Sequence, residues 1–408
     1  MPLRLPPLRA GHSLRLLEGS AELFPALVEA IDAATREVWL ETYILEFQGS
    51  TLEVVYALER AARRGVQVRV VVDGFGTPEL PPDWRLRFEM VGVNCRIYAP
   101  VGSLGVVWPG SWRRLHRKLC VVDGALAFCG GINLLDDLRD PNHGVLTSPR
   151  LDFAVAATGP LVAQARAAME TLWRRLVAVH PLKPQALAGA LFPARARATA
   201  ADSSAAQAAL GPRPLAPIRA ALLLRDNLRH RAQIERAYLR AIGRAQNEVI
   251  IANAYFVPGA RLRHALLRAA RRGVKVTLLL QGRYEYFMQY YAARPVYGAL
   301  LKAGVAIHEY SPSFLHAKVA VVDGRWATVG SSNLDPLSLL LAREANVVVE
   351  DEAFAQLLRA RLLDAIERHG RAMDPALYGS RPLRERALEW LALGVMRVAL
   401  AVQGKKYL

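Results

Sequence analysis

The sequence predicts an α/β fold of two duplicated domains, each with a largely buried mixed sheet flanked by helices. Short apolar runs typical of buried strands alternate with longer helical stretches in both halves of the chain. The same order of runs occurs twice, and one nineteen-residue segment recurs with its polar residues at identical spacing. A duplication of this length favours two similar domains packed face to face about a pseudo-two-fold axis, which brings like surfaces together.

The first half alternates strand and helix from residue 14 onwards. A short Val-rich run after a helix-ending Gly indicates a strand buried on both faces. In chain order the elements are LRLLEG (strand), AELFPALVEAIDAA (helix), VWLETYIL (apolar run), TLEVVYALERAARRG (helix), GVQVRVVVDG (strand) and GVNCRIYAP (strand).

The second half repeats this plan with ALLLRDN, EVIIANAYF, GVKVTLLLQG and GVAIHEYSP. The offset between the halves is 212 at Gly92 and Gly304 but 200 at His116 and His316. The first half therefore carries twelve extra residues, which fall within VGSLGVVWPGSW.

These patterns divide the chain into four parts. The two domains span residues 14–179 and 217–370. Residues 180–216 are rich in Ala, Pro, Arg and Ser, which predicts a flexible linker. Residues 371–408 form a basic amphipathic tail, for which an interfacial membrane helix and a last helix packed on the domain are both open.

The composition restricts the partners and the compartment. The net charge of +17, from 53 basic and 36 acidic side chains, favours a polyanion, either nucleic acid or an anionic membrane surface. Three cysteines, odd in number and without paired metal spacing, predict a reduced compartment. No window of eighteen apolar residues occurs, so we expect a protein that is not integral to a membrane, with a peripheral role open.

The recurring segment reads LHRKLCVVDGALAFCGGIN at residues 115–133 and LHAKVAVVDGRWATVGSSN at residues 315–333. Both copies fit H-x-K-x4-D-x6-G-x2-N, which random filling would give with a probability of roughly 3 × 10⁻⁷ per starting position. In each copy VVDG predicts a hairpin turn. On a strand, residues two apart share a face, so His116 lies beside Lys118 and His316 beside Lys318.

An imidazole beside an ammonium is a poor metal site but a good phosphate site. The cation repels a metal ion, neutralises phosphate oxygens, and leaves the imidazole to attack phosphorus or transfer a proton. Lysine at both positions is notable because only seven of the 53 basic residues are Lys. We expect four further residues to bind the phosphate through amides or close backbone approach: Asn133, Asn333, Gly131 and Ser331.

One such strand supplies half of a site, and two that meet across the pseudo-two-fold axis suit a double displacement. One His attacks and forms a phosphohistidine, while the other protonates the leaving alkoxide and then deprotonates the incoming hydroxyl. Asp123 and Asp323 complete the catalytic motifs, but they lie at the turns on the opposite strand face. We therefore expect them to be structural anchors rather than proton carriers.

These residues resemble the two HKD motifs of the phospholipase D superfamily, and the resemblance covers nearly the whole chain outside the linker and tail. More narrowly, LETYIL, YYAARPVY, the FCGGIN ending and the region around the second motif resemble bacterial cardiolipin synthases of the short class without transmembrane helices. The resemblance implies His116 or His316 as nucleophile, with His116 favoured, and Asp152 and Glu344 as the carboxylates that orient the histidines. It also implies no metal or other cofactor.

The implied activity is a phosphatidyltransferase that joins two phosphatidylglycerols into cardiolipin and releases glycerol. A phosphodiesterase that hydrolyses phospholipid or nucleic acid is the alternative, and a non-catalytic scaffold is disfavoured by the intact motifs. A peripheral location on the cytoplasmic side of a bacterial membrane follows from this reading, with nucleic acid an unlikely partner because no basic-aromatic track occurs. Two stretches, VGSLGVVWPGSW and RYEYFMQYYAARPVY, are candidates for lipid contact.

Overall fold

The structure is a computed structural model in which both halves of the chain are described. The residues described are 5–101, 113–141, 143–179, 199–210, 217–226, 230–283, 287–379 and 381–402.

The first half follows the predicted order of strands and helices. Its elements are β1 (Arg9–Glu18), α1 (Gly19–Asp32), β2 (Glu37–Thr42), α2 (Thr51–Arg63), β3 (Gln67–Asp73), α3 (Pro82–Val91), β4 (Asn94–Tyr98), β5 (Lys118–Val122), β6 (Leu126–Gly130), β7 (Arg139–Asp140), β8 (Gly144–Val145), β9 (Phe153–Thr158), α4 (Pro160–Val179) and α5 (Ala200–Leu210).

The second half repeats that order and adds helices at its end. Its elements are β10 (Ile218–Arg225), α6 (Gln233–Arg244), β11 (Glu248–Asn253), α7 (Ala260–Arg271), β12 (Lys275–Gln281), α8 (Phe287–Lys302), β13 (Ala306–Tyr310), β14 (Lys318–Val322), β15 (Trp326–Gly330), α9 (Pro336–Leu340), β16 (Glu344–Glu350), α10 (Glu352–His369), β17 (Gly370–Ala372), α11 (Pro375–Gly379) and α12 (Leu383–Val402).

One mixed sheet runs through both halves. Within the described residues its order is β17-β13-β12-β11-β14-β15-β16-β10-β1-β9-β6-β5-β2-β3-β4, so the second half mirrors the first about the β1–β10 pair. Strands β2, β3 and β4 are parallel, and the strands that follow them pair antiparallel. This symmetry confirms the predicted α/β fold with a pseudo-two-fold axis. The edge-to-edge junction arises because β1 begins at Arg9 and continues past the first sheet onto β10.

The core explains why the strands are so rich in Val, Leu and Ala. Inner-face residues of both halves join helices α4 and α10 in one shared hydrophobic cluster, while α1 and α2 cover the first sheet and α6, α7 and α8 cover the second. Strands buried on both faces have no polar face to alternate. The active surfaces of the halves are thereby held in a fixed relation through the shared core.

The segment between the domains differs from the prediction. Residues 200–210 of the predicted flexible linker, 180–216, form helix α5, which begins with Asp202 accepting hydrogen bonds from the backbone and side chain of Thr199. Ala206 is buried against the first domain and Gln207 accepts a hydrogen bond from Ser13. The Ala-rich composition was interpreted as a sign of flexibility. Alanine also has the highest helix propensity, and the hydrogen bonds between Thr199 and Asp202 cap the start of the helix. The other residues of this segment lie largely outside those described.

The tail contains the long helix α12, which packs on α8 through Ala392, Leu393 and Met396. Throughout the described ranges, no helix is both long enough and apolar enough to cross a membrane.

Candidate active site

The two repeated motifs meet where each strand β5 or β14 begins, and each is tied to the opposite half. The backbone N–H of His116 donates to the carbonyl of Arg343 at 3.0 Å, and that of His316 donates to the carbonyl of Leu151 at 2.9 Å. Short parallel bridges join Leu115 to Arg343 and Leu151 to Leu315. Each histidine therefore lies beside the residue that precedes the other half's candidate carboxylate.

His116 is held by residues of the second half. Its Nδ1 lies 3.1 Å from both carboxylate oxygens of Glu344 and 3.1 Å from the carbonyl oxygen of Ser331. The hydroxyl of Ser331 donates to the same carboxylate, and its oxygen accepts from the N–H of Ala345. The Ser331 side chain thus supports Glu344 rather than pointing into open space, and its predicted contact with phosphate stays a prediction.

His316 is held by a residue of the first half. Its Nδ1 lies 2.6 Å from Oδ2 of Asp152, whose other oxygen accepts from the N–H of Phe153 at 2.8 Å. Gly131 faces this carboxylate, and a Cβ at that position would lie only 2.3 Å from Asp152 Oδ1. Glycine is therefore required here by a close approach to the carboxylate, which is a different reason from the predicted approach to phosphate.

The two lysines lie beside the histidines and are buried. Lys118 Nζ donates to the carbonyl of His116 at 2.9 Å, and Lys318 Nζ donates to the carbonyl of His316. Burial lowers the pKa of Lys118 to about 7, against the opposing charge of Glu344. A buried ammonium of this kind is poorly compensated in the empty site and favours an anionic ligand.

The two histidines and two lysines of the motifs lie close enough for their charges to act on one another. Burial lowers the pKa of His316 well below its ordinary value, and the charges of Lys318, Lys118 and His116 act in the same direction. Burial also lowers the pKa of His116, but the charge of Glu344 opposes that shift. Burial raises the pKa of Asp152 to about 7. Both shifts favour the neutral imidazole at neutral pH.

This geometry defines what each imidazole can do. Because Nδ1 of each ring is engaged with a carboxylate, Nε2 is the nitrogen left for chemistry. A neutral imidazole carries its lone pair on that nitrogen and can act as a nucleophile or a base. With two ammonium groups beside the two rings, the site combines phosphate neutralisation with two proton-transfer or nucleophilic groups.

The remaining predicted residues occupy two different settings. Asn133 accepts from the N–H of Ile44 at 3.3 Å, and the Asn333 amide donates to Ser338 at 3.4 Å; both asparagines are buried, and their phosphate contact stays a prediction. Asp123 accepts from the N–H groups of residues 35 to 37, and Asp323 from those of residues 246 to 248. Both Asp lie at the far end of their strands from the histidines, so the structure does not bring them into the site.

Three residues near the site were not predicted from the sequence. Asp73 accepts from the N–H of Leu115 at 2.6 Å, and Gln281 accepts from the N–H of Leu315 at 3.1 Å, so each holds the residue before a histidine. Their equivalent positions at the ends of VVVDG and LLLQG were the signal that could have found them. The ring of Tyr43, within LETYIL, lies 5.1 Å from that of His116.

The two candidate lipid-contact stretches are described only in part. Residues 102–112, which hold nearly all of VGSLGVVWPGSW, lie outside the described residues. Of RYEYFMQYYAARPVY, residues 284–286 also lie outside, while the remainder enters helix α8. Arg283 places its guanidinium 5.5 Å from the ring of Phe314, two residues before His316.

Comparison with known proteins identifies the family of this chain. The family model described as "Cardiolipin synthase, PLD-like domain" matches residues 27–146 and 238–365, one match in each half. Cardiolipin synthase B of Salmonella typhi is 38% identical over 383 residues, which covers 91% of this chain and 85% of that protein. Cardiolipin synthase B of Escherichia coli K12 is 37% identical over the same shares.

A solved structure supports the fold independently. Phosphatidylserine synthase of Haemophilus influenzae Rd KW20 superimposes with a TM-score of 0.69 over 99% of this chain and 98% of that one, at 15% identity. At that identity the likeness concerns the fold alone, whereas the relatives and the matched model concern the family. The chain therefore belongs to the cardiolipin synthase family of proteins with paired phospholipase D-like domains.

Proposed function

We propose that this protein is a phosphatidyltransferase that makes cardiolipin from two phosphatidylglycerols and releases glycerol through a phosphohistidine. The observation that carries the proposal is the crossed arrangement in which Glu344 holds His116 and Asp152 holds His316, with Lys118 and Lys318 beside them. The relatives named cardiolipin synthase B, which this chain matches over 91% of its length, support the choice of lipid. The domains are residues 14–179 and 217–370, and neither alone holds a complete site.

In the first half-reaction, the lone pair on Nε2 of His116 attacks the phosphorus of one phosphatidylglycerol. The bond from phosphorus to the head-group glycerol oxygen breaks, and that oxygen takes a proton from Nε2 of a protonated His316. Lys118 and Lys318 neutralise the phosphate oxygens, whose charge develops in the transition state. Glycerol leaves, the phosphatidyl group remains on His116, and His316 becomes neutral.

In the second half-reaction, neutral His316 removes the proton from a hydroxyl of a second phosphatidylglycerol. That oxygen attacks phosphorus, the phosphorus–nitrogen bond breaks, and His116 regains its lone pair. Cardiolipin is released, and His316 carries the proton needed for the next cycle. Atoms and protons balance over the two steps without metal or another cofactor.

We assign the roles of the two histidines from the different charged groups that surround each ring. Glu344 faces His116 with both oxygens and opposes the fall in the pKa of this ring, which favours its Nε2 as a nucleophile. The pKa of His316 is depressed in the empty site partly by the charges of the two lysines. A bound phosphodiester anion offsets those charges and raises that pKa, so His316 acquires its proton as substrate binds.

Membrane contact is a second part of the proposal. Helix α12 buries one face on α8 and exposes Leu388, Leu391, Val395 and Val398 along the other at helical spacing. Both readings of the tail therefore apply to the same helix. We infer peripheral attachment to the cytoplasmic side of a membrane that contains phosphatidylglycerol, through the exposed apolar face and the net charge of +17.

The test is to incubate the full chain with phosphatidylglycerol vesicles and to follow lipids and free glycerol together. Cardiolipin and glycerol should appear in equal amounts, and His116→Ala and His316→Ala should each abolish turnover. Label from phosphatidyl-labelled substrate should be trapped as an acid-labile adduct on His116. Phosphatidic acid without cardiolipin would assign hydrolysis, and an adduct on His316 would exchange the roles of the two histidines.

A further inference from the structure

The outer helices of the two halves form a matched pair of surfaces. In each half an arginine that follows the second helix, Arg64 or Arg272, donates to two carbonyl groups at the end of the first helix. The acceptors are the carbonyl groups of Ile31 and Ala34 in the first half and of Ile242 and Ala245 in the second. The helix pairs α1–α2 and α6–α7 can therefore be compared position by position.

The charges on these matched surfaces are opposite. Helices α6 and α7 carry seven arginines and one glutamate, whereas α1 and α2 carry two arginines and five acidic residues. In the first half Arg60 forms a bidentate ion pair with Asp32 at 3.0 and 2.7 Å. The position of Arg60 is taken by Arg268 in the second half, and the position of Asp32 is taken by Gly243.

A second acidic residue is exchanged at the same place. The pKa of Arg60 is raised first by the hydrogen bond that Arg60 donates to Asp32, and the charge of Glu53 adds to this effect. The counterpart of Glu53 in the second half is Arg261, so one carboxylate has become a glycine and the other a guanidinium. Among the residues that the structure describes, neither Arg261 nor Arg268 forms an ion pair within 4.0 Å.

A cavity lies between α6 and α7 at the exchanged positions. Its volume is about 500 Å³, and its lining includes Gly243, Arg261, His264, Arg268 and Arg272. Guanidinium groups present planar pairs of donors that match the oxygens of a phosphate. Glu235 attracts Arg261, and Arg272 donates to backbone carbonyl groups, but within the described part of the second half no carboxylate stands where Asp32 pairs with Arg60 in the first half. An anion bound among the three arginines would offset the repulsion that remains.

The cavity shares a layer with the exposed apolar stripe of the tail. Residues of α6, α7, α8 and α12 pack in one hydrophobic cluster on the outer side of the second sheet. The layer therefore combines a cationic cavity with the apolar face of Leu388, Leu391, Val395 and Val398. An anionic bilayer supplies partners for both features, whereas a nucleic acid supplies only the phosphate.

We propose that this cavity binds the head-group phosphate of an anionic phospholipid outside the catalytic site and docks the second half on the bilayer. The inference deepens the proposed function and rests on it, since a lipid substrate is what brings the protein to a membrane surface. The cavity lies between the outer helices, apart from the His and Lys residues at the ends of β5 and β14, so docking and chemistry can be measured separately.

The test installs the residues of the first half in the second. The double variant Gly243→Asp with Arg261→Glu recreates the pair found at Arg60, and Arg268→Gln is a milder second variant. Binding of the full chain to vesicles of phosphatidylglycerol in phosphatidylcholine is measured by co-sedimentation. Each charge near an anionic surface contributes roughly fivefold to partitioning, so the double variant should bind at least about tenfold more weakly. Arg268→Gln should lose about fivefold.

The matched control is Arg368→Glu, which reverses one charge on helix α10, on the opposite face of the second sheet from α6 and α7, with the Arg368 side chain 69% exposed. This variant should lose less than about threefold, because a reversed charge away from the docking face acts only through the screened field. Vesicle binding by the double variant and Arg268→Gln equal to that of wild type overturns the inference, as does a loss seen only with a DNA fragment. Failure of the wild type to make cardiolipin, with the vesicle result intact, would reject the proposed function and keep the docking site.

Discussion

The two histidines of the candidate site are held by carboxylates of different length, and each carboxylate has a matching neighbour. In the second half the longer Glu344 is supported by the hydroxyl of Ser331. In the first half the shorter Asp152 lies against Gly131, where no side chain fits. Position 131 and position 331 are equivalent in the repeat, so the carboxylate and its neighbour differ together.

This difference shows that the duplicated halves share their fold and their His and Lys residues but differ in the carboxylates that hold the histidines. Glu344 contacts His116 with both oxygens, and its charge opposes the burial that lowers the pKa of that ring. Asp152 makes a single 2.6 Å contact with His316, and burial raises its own pKa to about 7. One histidine is thus paired with a carboxylate that contacts it through both oxygens, and the other with a carboxylate that is partly protonated at neutral pH.

Removing the two charges should have unequal effects. Glu344→Gln and Asp152→Asn keep the shape of each side chain while removing the acceptor charge. We expect kcat with phosphatidylglycerol to fall by about 10³ in Glu344→Gln and by about 10² in Asp152→Asn, both less than the loss of about 10⁴ for the same change in a Ser-His-Asp triad. The smaller loss follows because Asp152 is already partly neutral. Losses of equal size at pH 7 would show that the two supports are equivalent, contrary to the asymmetry described above.

Substitution of Gly131 and Ser331, the residues beside the two carboxylates, should test the same comparison. Gly131→Ser places a Cβ only 2.3 Å from Asp152 Oδ1, so the carboxylate must move away from His316. We expect activity to fall by about 10², because a misplacement of about 1 Å can cost that much. Ser331→Ala removes one hydrogen bond to Glu344 and leaves its contact with His116, so a loss of about tenfold or less is expected. Steady-state assays on phosphatidylglycerol measure both. A Ser331→Ala loss that exceeded that of Gly131→Ser would contradict the steric argument.

The fold and the central motif residues were predictable, and the family resemblance also gave the carboxylates Asp152 and Glu344, but which histidine each carboxylate holds was not predictable. Periodicity and duplication indicated the α/β repeat, and spacing placed His116 beside Lys118, because both patterns are local. The exchange of carboxylates between halves depends on bridges such as Leu115 to Arg343, which join residues more than two hundred positions apart. The helix at Ala200–Leu210 was missed for another reason, since an Ala-rich composition is compatible with both flexible chain and helix.

The buried lysine of the first half should cost stability in the empty enzyme. The pKa of Lys118 falls from an ordinary 10.5 to about 7 on folding. Between those values the unfolded chain binds more protons, so the stability of the protein rises with pH, and below pH 7 the full penalty remains. Lys118→Met should therefore raise Tm by about 2 °C or more at pH 6.5, with a smaller gain at pH 9.5, while activity is lost.

Differential scanning calorimetry at the two pH values checks this prediction, with the exposed Lys275→Met as control. Lys275 begins strand β12 and is exposed, so its removal should shift Tm equally at both pH values. A gain for Lys118→Met that grew with pH would contradict the sign derived from its pKa.

The smallest effect on stability is expected when both partners of an ion pair that the second half lacks are replaced together. Glu41 and Arg117 form a buried pair at 2.7 Å, whereas the equivalent residues of the second half are Ala252 and Ala317. Removing one partner leaves an uncompensated buried charge, so Glu41→Leu or Arg117→Met alone should lower the free energy of unfolding by about 3–5 kcal/mol. The double variant should stay within about 1 kcal/mol of wild type, because apolar side chains of similar volume often replace such pairs without loss.

Urea unfolding of the two single variants and the double variant measures this coupling, and activity of the double variant decides what the pair does. Arg117 lies between His116 and Lys118 in sequence but points to the opposite face of the strand, where Glu41 holds it. If the double variant is stable and active, the first half does not depend on the Glu41–Arg117 pair for stability or activity. This would agree with the alanines at the equivalent positions of the second half. If it is stable but slow, the pair positions the strand that carries His116 and Lys118, and the two halves differ in how rigidly each presents its motif.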